Sequence, residues 1–180
     1  MIDDSAAARF AAMAAPHLDA AYNLARWLTR DPHDADDVVQ EAYLRAFRFF
    51  DGFRGGDGRA WLLTIVRNTC YSWLEQNRFS SIHVEYDDRL DSLHDDDEGR
   101  PMHRLDPEQL LLQAGQQQLI ETALQQLPIE HREILVLREL EELSYRQISE
   151  IAGIPMGTVM SRLSRARLQL RRSIEAMEQR

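Results

Sequence analysis

The first 79 residues carry apolar side chains at the spacing of helix faces. In residues 6–30 the apolar positions are Phe10, Ala14, Leu18, Ala21, Ala25 and Leu28. This stretch predicts one amphipathic helix or a pair of them, ended by Asp31-Pro32. A second helical run extends from about Asp34 to Phe50. The glycine-dense segment 51–58 predicts a loop, and a long helix follows from Arg59 to about Arg78.

The periodic pattern stops at residue 80 and resumes near residue 106. Between them, the charged run 95–101 (Asp-Asp-Asp-Glu-Gly-Arg-Pro) is typical of a linker. Asp106, Pro107 and Gln109 then give an N-cap, a first-turn proline and a capping box. Helices are predicted to Leu127 and from Pro128 to about Leu140, and no segment alternates like a strand. The sequence therefore predicts an all-α chain with a helical domain at 1–79, a flexible acidic linker at 80–106 and a second helical domain at 107–180.

A helix-turn-helix pattern lies within residues 143–167. Ser144 and Gln147 are spaced as a capping box for a short helix. Gly153 suits the left-handed residue that ends this helix, and Pro155 begins the next one. The apolar stripe predicted for the second helix comprises Val159, Leu163, Ala166 and Leu170. Its polar, cationic stripe comprises Thr158, Arg162, Arg165 and Gln169. One packing face and one cationic face are what a helix in a DNA major groove requires.

The net charge of −9 is unevenly distributed along the chain. Residues 81–107 hold nine acidic and three basic side chains, whereas residues 153–180 hold two acidic and six basic ones. All 21 cationic residues are arginine, which makes forked contacts to phosphate and guanine. The one cysteine, Cys70, cannot form an internal disulfide, and no apolar run is long enough for a membrane span. These features indicate a cytoplasmic protein with a DNA-binding C-terminal domain.

Three segments, in order, resemble the extracytoplasmic-function (ECF) sigma factors of the sigma-70 family. Segment 34–47 resembles the region that grips the coiled coil of the β′ subunit of RNA polymerase. The loop Phe53-Arg54-Gly55 and the helix 59–74 are similar to the segment that opens and reads the −10 element. The helix-turn-helix is similar to the −35-reading domain, although Met160 stands where the family usually has Lys or Arg. The resemblance covers roughly residues 8–79 and 108–173.

This resemblance implies roles for individual residues. The polymerase-binding residues it implies are Asp37, Val38, Gln40, Glu41 and Tyr43. The −10 DNA contacts it implies are Arg54, Arg67, Asn68, Tyr71 and Arg78, with Asn68 and loop 51–58 recognising an unpaired base. The −35 contacts it implies are Thr158, Ser161, Arg162, Arg165 and Arg167. Trp61 and Trp73 are expected in the core.

The resemblance also implies partners: core RNA polymerase through its β′ coiled coil and its β subunit, promoter DNA, and an anti-sigma factor. It implies neither a cofactor, a metal, enzymatic activity nor direct membrane insertion. The acidic residues 85–98 are expected to thread a basic channel of polymerase.

Two other classes of function are open from the residues alone. A stand-alone regulator would use the helix-turn-helix and leave the features of residues 34–79 without a purpose. A metal enzyme would use His83, His94 and His103 with Asp95 to Asp97, but their spacing fits no standard ligand pattern.

Overall fold

A computed structural model describes residues 4–81 and 107–179, with side chains described over 5–77 and 115–179. The first four helices are α1 (Asp4–Ala14), α2 (Leu18–Thr29), α3 (Pro32–Phe49) and α4 (Gly58–Ser81). The second group is α5 (Pro107–Gln125), α6 (Ile129–Leu135), α7 (Tyr145–Ala152) and α8 (Met156–Glu178). A π-helical turn, Val136–Leu140, continues α6. No strand occurs in these described ranges, which confirms the all-α prediction.

The predicted pair of N-terminal helices is present, but its register shifts at the junction. A short 3-10 turn, Ala15–His17, joins α1 to α2 and contains Pro16. Because a 3-10 turn advances the chain by a different angle per residue than an α-helix, the apolar stripe does not continue straight through it. Ala21, Ala25 and Leu28 are buried as predicted, whereas Leu18 lies on the surface.

Capping determines where α3 begins. The Asp31 side chain accepts hydrogen bonds from the backbone N–H groups of His33, at 2.8 Å, and Asp34, at 3.1 Å. Pro32 occupies the first helical position, where its missing N–H costs nothing. The pair predicted to break one helix therefore also starts the next, two residues earlier than the sequence pattern indicates.

Small side chains bring the first three long helices close together. The helices α2, α3 and α4 pack on one another. Ala21, Ala25, Ala35 and Ala42 are fully buried where they meet. The short helix α1 closes one side, where Phe10 meets the Phe47 and Phe50 rings at centroid distances of 5.3 and 5.4 Å. Trp61 packs on Phe53 at 4.9 Å, and Trp73 is partly buried against the core, as expected for both tryptophans.

The second helical unit is built around α8, which packs on α5, α6 and α7. Arg132 of α6 is buried and donates to the carbonyls of Gln125, at 3.1 Å, and Leu127, at 3.2 Å. It thereby satisfies carbonyl groups that the end of α5 leaves without helical partners. Burial, reinforced by the charge of Arg30, lowers the pKa of Arg132 to about 10.

The two helical units lie directly against each other. Helix α7 packs on α4, and α6 packs on α2. Buried residues from both units form one continuous apolar cluster. The domain boundaries at 79 and 107 remain a prediction, and residues 82–106, which hold most of the predicted linker, lie outside the described residues.

Candidate nucleic-acid and protein interfaces

Helix α7 begins at the predicted capping box. The Ser144 Oγ accepts from the Gln147 backbone N–H at 3.2 Å, and the Gln147 Oε1 accepts from the Ser144 N–H at 2.9 Å. These reciprocal bonds satisfy two donors that a helix start leaves unpaired. Ile148, Ile151 and Ala152 are buried, as the sequence predicts.

The turn between α7 and α8 has the predicted left-handed glycine. Gly153 adopts φ 65°, a conformation that disfavours residues with a Cβ atom. The Ser149 hydroxyl donates to the Ile154 carbonyl at 2.6 Å and ties the turn to α7. Pro155 then precedes α8, so the whole helix-turn-helix is present.

Helix α8 has a buried face and an exposed polar face. Val159, Leu163 and Ala166 are buried and Leu170 is partly buried against the core, which confirms the predicted stripe. On the outer side Ser161 and Arg165 are exposed, and Thr158 and Arg162 are partly exposed. The exposed surface also includes the apolar side chain of Met160.

Arg167 lies apart from the other predicted −35 residues. At 100° per residue it is about 140° around the helix from Arg162. Its guanidinium donates to the Glu139 Oε1 through Nε, at 2.9 Å, and Nη2, at 2.6 Å. Arg167 therefore pairs with Glu139 of its own helical unit, and its contact with −35 DNA stays a prediction.

The predicted −10 residues of α4 fall into two environments. Asn68 is exposed. Arg67 and Tyr71 instead turn toward Glu133 of α6: the Arg67 Nε donates to Glu133 Oε1, and the Tyr71 hydroxyl donates to Glu133 Oε2 at 2.7 Å. The Arg67 guanidinium lies over the Tyr71 ring, 4.3 Å from its centroid. Arg67 and Tyr71 therefore face the second helical unit in this arrangement, and their contact with −10 DNA stays a prediction.

The electrostatics of this cluster favour a charged Arg67 and a neutral Tyr71. Burial opposes the charge of Arg67, but the hydrogen bond and charge of Glu133 outweigh it and raise the pKa of Arg67. Burial first, and then the Glu133 carboxylate, raise the pKa of Tyr71 above its usual range. Tyr71 therefore keeps its proton and remains a donor to the carboxylate.

The loop after α3 forms one wall of an open cleft of about 340 Å³ beside α4. Arg54 is exposed at its edge, Trp61 and Thr64 line it from α4, and Glu150 lines it from α7. Gly55 and Gly56 have φ of 89° and 99°, so the backbone turns sharply at this wall. Arg78 belongs to α4, but its side chain lies outside the described residues.

Asp57 ends this loop and links it to both helical units. Its carboxylate accepts from the Ala60 N–H at 3.0 Å and from the Gln147 Nε2 of α7 at 2.6 Å. These two hydrogen bonds, the Ala60 bond first, lower the pKa of Asp57. The loop is therefore held at the start of α4 by a charged carboxylate.

The predicted polymerase surface on α3 is partly rearranged. Asp37, Gln40 and Glu41 are exposed on one face, and Glu41 pairs with Arg45 at 2.7 Å. Val38 is only 1% exposed and packs in the core, so its predicted place on the surface patch is corrected. Tyr43 is half-buried and donates to the Ala14 carbonyl at 3.1 Å. Burial, with the charge of Asp19, raises the pKa of Tyr43 to about 12.

The apolar part of this surface comes from residues that the sequence reading missed. Leu44 is 55% exposed and Phe49 is 66% exposed. Leu44 lies three and four positions after Glu41 and Gln40, so it shares their face. Helical spacing could have identified Leu44, because a core centred on Ala42 and Ala46 leaves it pointing outward. We call Asp37, Gln40, Glu41 and Leu44 the α3 surface.

Membrane-spanning helices and metal-binding clusters are both absent from residues 4–81 and 107–179. None of the helices there is both long and apolar enough to cross a membrane. In the same ranges, no group of three or more His, Cys, Asp or Glu side chains could hold a metal ion. His83, His94 and His103 lie outside the described residues.

Comparison with known proteins gives two family matches, in chain order. Residues 13–79 match the family model described as Sigma-70 region 2, and residues 117–170 match Sigma-70, region 4. RpoE from Bartonella quintana, solved in complex with the anti-sigma factor NepR, superposes with a TM-score of 0.72 at 28% identity. That superposition covers 93% of this chain and 97% of the other, so it includes both helical units.

Two curated relatives identify the family. The ECF RNA polymerase sigma factor SigE of Mycolicibacterium smegmatis is 34% identical over 155 residues, which cover 86% of this chain and 57% of that protein. The ECF RNA polymerase sigma-E factor of Escherichia coli K12 is 36% identical over 137 residues, which cover 74% of this chain and 70% of that protein. With both sigma-70 regions matched in order, this chain belongs to the ECF RNA polymerase sigma factors.

Proposed function

We propose that this chain binds core RNA polymerase and directs promoter-specific transcription initiation as an alternative sigma factor, without catalysing a reaction itself. The observation that carries this proposal is the pairing of two surfaces of opposite character. Helix α8 presents polar and cationic residues from a complete helix-turn-helix. Helix α3 presents an acidic and apolar surface on the other helical unit.

The α3 surface suits a protein partner rather than DNA. Asp37 and Glu41 would repel phosphate, whereas they complement a basic helix. Leu44 adds exposed apolar area to the same face. We assign this surface to the β′ coiled coil of polymerase, with Gln40 as a further polar contact. Further contacts with the β subunit remain a prediction from the family resemblance.

The −35 element is assigned to α8. Thr158, Ser161, Arg162 and Arg165 lie near its N-terminal half, where a recognition helix contacts base edges. Arginine can bond a guanine edge with two hydrogen bonds, worth roughly 1–3 kcal/mol of discrimination. Arg167 would reach DNA only after leaving Glu139, so its role is secondary.

The −10 element is assigned to α4 and the cleft beside it. Asn68 and Arg54 are exposed there, and the cleft beside Trp61 and Thr64 could hold a base that has left the stack. Aromatic stacking returns about 1–3 kcal/mol for each base held. Arg67 and Tyr71 would join this surface once they are released from Glu133. Because initiation occurs where RNA polymerase works, we place the protein in the bacterial cytoplasm.

An anti-sigma factor is the proposed regulator. The similar RpoE of Bartonella quintana was solved with such a partner, NepR, and the superposition includes both helical units. This similarity supports a corresponding partner for this chain. Pull-down with and without a candidate anti-sigma protein, followed by transcription with core polymerase, tests this part separately.

Run-off transcription with core polymerase on a promoter library tests the main proposal. Transcripts are expected to start downstream of one shared pair of −35 and −10 sequences, and to be absent without this chain. Transcription that does not depend on this chain would contradict the proposal. So would tight, specific duplex binding by the free chain as a dimer on a palindrome, which would favour the stand-alone regulator.

The charge of the α3 surface supplies a sharper variant. Asp37→Arg with Glu41→Arg should weaken binding to core polymerase roughly 100-fold or more, because placing like charges together costs several kcal/mol. The matched control, Glu175→Arg with Glu178→Arg, changes the same number of exposed charges at the far end of α8. If the α3 variant binds core polymerase as the control does, the assignment of this surface is wrong.

A further inference from the structure

Part of the polar face of α4, at Arg67 and Tyr71, is covered by the second helical unit of the same chain. Helix α7 lies along α4, and α6 lies against α2. The apolar cores of the two units are continuous beneath these contacts. The covered region includes Arg67 and Tyr71, which the proposed function assigns to the −10 element.

Glu133 places a buried carboxylate against Arg67 and Tyr71 on this face. Its side chain is 0% exposed, and it accepts hydrogen bonds from both Arg67 and Tyr71. The Arg67 side chain is only 18% exposed. A carboxylate buried to this degree is stable only with such donors, since a buried charge without a partner is strongly unfavourable. The two donors are therefore committed to Glu133 in this arrangement.

Two further polar links join the units near the start of α4. Glu141, at 6% exposure, accepts from the Arg59 Nη2 at 2.7 Å and from the Asn23 Nδ2 at 3.3 Å. Gln147 donates to Asp57 at 2.6 Å. These contacts follow α4 from its first turn to Tyr71. We call Glu133, Glu141 and Gln147, with their partners on the first unit, the interdomain latch.

The latched arrangement is too short to read a whole promoter. The nominal −35 and −10 positions are 25 base pairs apart, or about 85 Å at 3.4 Å per base pair. The 24 residues of α4 span about 36 Å at 1.5 Å per residue, and α7, which leads into α8, lies against that helix. The two DNA-reading helices must therefore separate before both elements can be engaged.

We propose that the second helical unit is a built-in inhibitor of the −10 surface, with Glu133 as an internal anion that DNA must displace. The inference rests on the proposed function, because it assigns α4 to the −10 element. The α3 surface stays exposed in the latched chain. Core polymerase can therefore bind first and receive the −10 surface when the units separate. Opening exposes Glu133 to water, where its charge no longer needs Arg67 or Tyr71.

Removing the two latch carboxylates tests this inference. Glu133→Gln with Glu141→Gln should raise the radius of gyration of the free chain in small-angle X-ray scattering. It should also tighten binding to single-stranded DNA of the selected −10 sequence by about tenfold or more, as expected if fewer than one chain in ten is open. The control, Glu175→Gln with Glu178→Gln, makes the same charge change on exposed side chains of α8.

An unchanged radius and an unchanged affinity, relative to that control, would overturn the inference. If Glu133→Gln lowers the helix content in circular dichroism, Arg59→Gln gives the same test, because Arg59 is partly exposed and holds Glu141. A larger radius of gyration for that variant supports the latch, and a radius equal to that of the control overturns it. Scattering needs neither polymerase nor DNA. Failure of the wild-type chain to transcribe would therefore overturn the proposed function and leave the scattering result readable by itself.

Discussion

The two helices that we assign to DNA reading in this sigma factor differ in what lies on their polar faces. Helix α8 leaves Ser161 and Arg165 exposed, whereas α4 has Arg67 and Tyr71 bound to a buried carboxylate. Both faces carry polar and cationic residues at helical spacing. The difference comes from the neighbouring unit: α6 and α7 cover α4, and nothing among the described residues covers the outer side of α8 in this way.

This comparison shows that a polar stripe in the sequence indicates a binding face but not which group is bound to it. On α8 the polar side chains are exposed or partly exposed. On α4 the same chemistry is satisfied inside the chain, so the free protein can be a poor DNA binder even with every contact residue present. The −9 charge adds general repulsion of phosphate, and the latch adds a specific block at the −10 surface.

The largest expected effect concerns the exposed helix. Arg162→Ala with Arg165→Ala should cost the holoenzyme roughly 1–3 kcal/mol for each arginine that pairs with a base, measured by titration of promoter duplex. The control is Arg171→Ala, which lies about 180° around α8 from Arg162. An equal loss on promoters with and without the −35 element would show that these arginines contact only phosphate.

A small change on α4 should tighten DNA binding, whereas the change on α8 should weaken it. Tyr71→Phe keeps an aromatic ring for stacking with a base, but it removes a donor from the buried Glu133. Losing a hydrogen bond to a charged group costs about 1.5–3 kcal/mol, so the latched state should weaken. Binding of −10 single-stranded DNA by the free chain should then tighten by roughly tenfold.

Tyr71→Ala is the matched comparison, because it removes both the hydroxyl and the ring. The alanine variant should open the chain and yet hold the −10 base less well in the holoenzyme. If Tyr71→Phe leaves DNA binding by the free chain unchanged, the hydroxyl does not hold the units together. The two helices would then differ only in exposure and not in regulation.

Most of the secondary structure follows from local rules in the sequence. The capping box at Ser144, the left-handed Gly153 and the buried stripe at Val159 depend on neighbours a few positions away, so the pattern contains them. The start of α3 was placed late because Asp31 reads as a breaker unless its capping role is considered. Leu18 was misplaced because a single turn of 3-10 helix changes the phase of the stripe.

The contact of Arg67 and Tyr71 with Glu133 could not be predicted in this way. Glu133 follows a helix start at Pro128 and is indistinguishable in sequence from a solvated surface charge. Its partners, Arg67 and Tyr71, are 66 and 62 positions away, and no spacing rule connects residues across two helical units. The resemblance to a family implies a DNA-binding role for residues of α4, yet it gives no information about the state of that face in the free chain.

The smallest expected effect is a pH dependence beside the covered helix. His17 lies near the start of α4, where burial and then the charge of Arg59 lower its pKa from 6.5, against the opposing charge of Asp57. Below pH 6.5 the unfolded chain binds a proton that the folded chain resists, so folding stability should fall as the pH drops through this region. The effect should stay below about 0.5 kcal/mol, because His17 is partly exposed and solvent screens the charges.

Urea unfolding at pH 7.5 and 5.5 measures this change in folding stability, and His17→Gln should remove the part that His17 contributes. Arg59 and Asp57 also belong to the latch. If stability changes with pH in the variant as it does in the wild type, His17 does not contribute to the pH dependence.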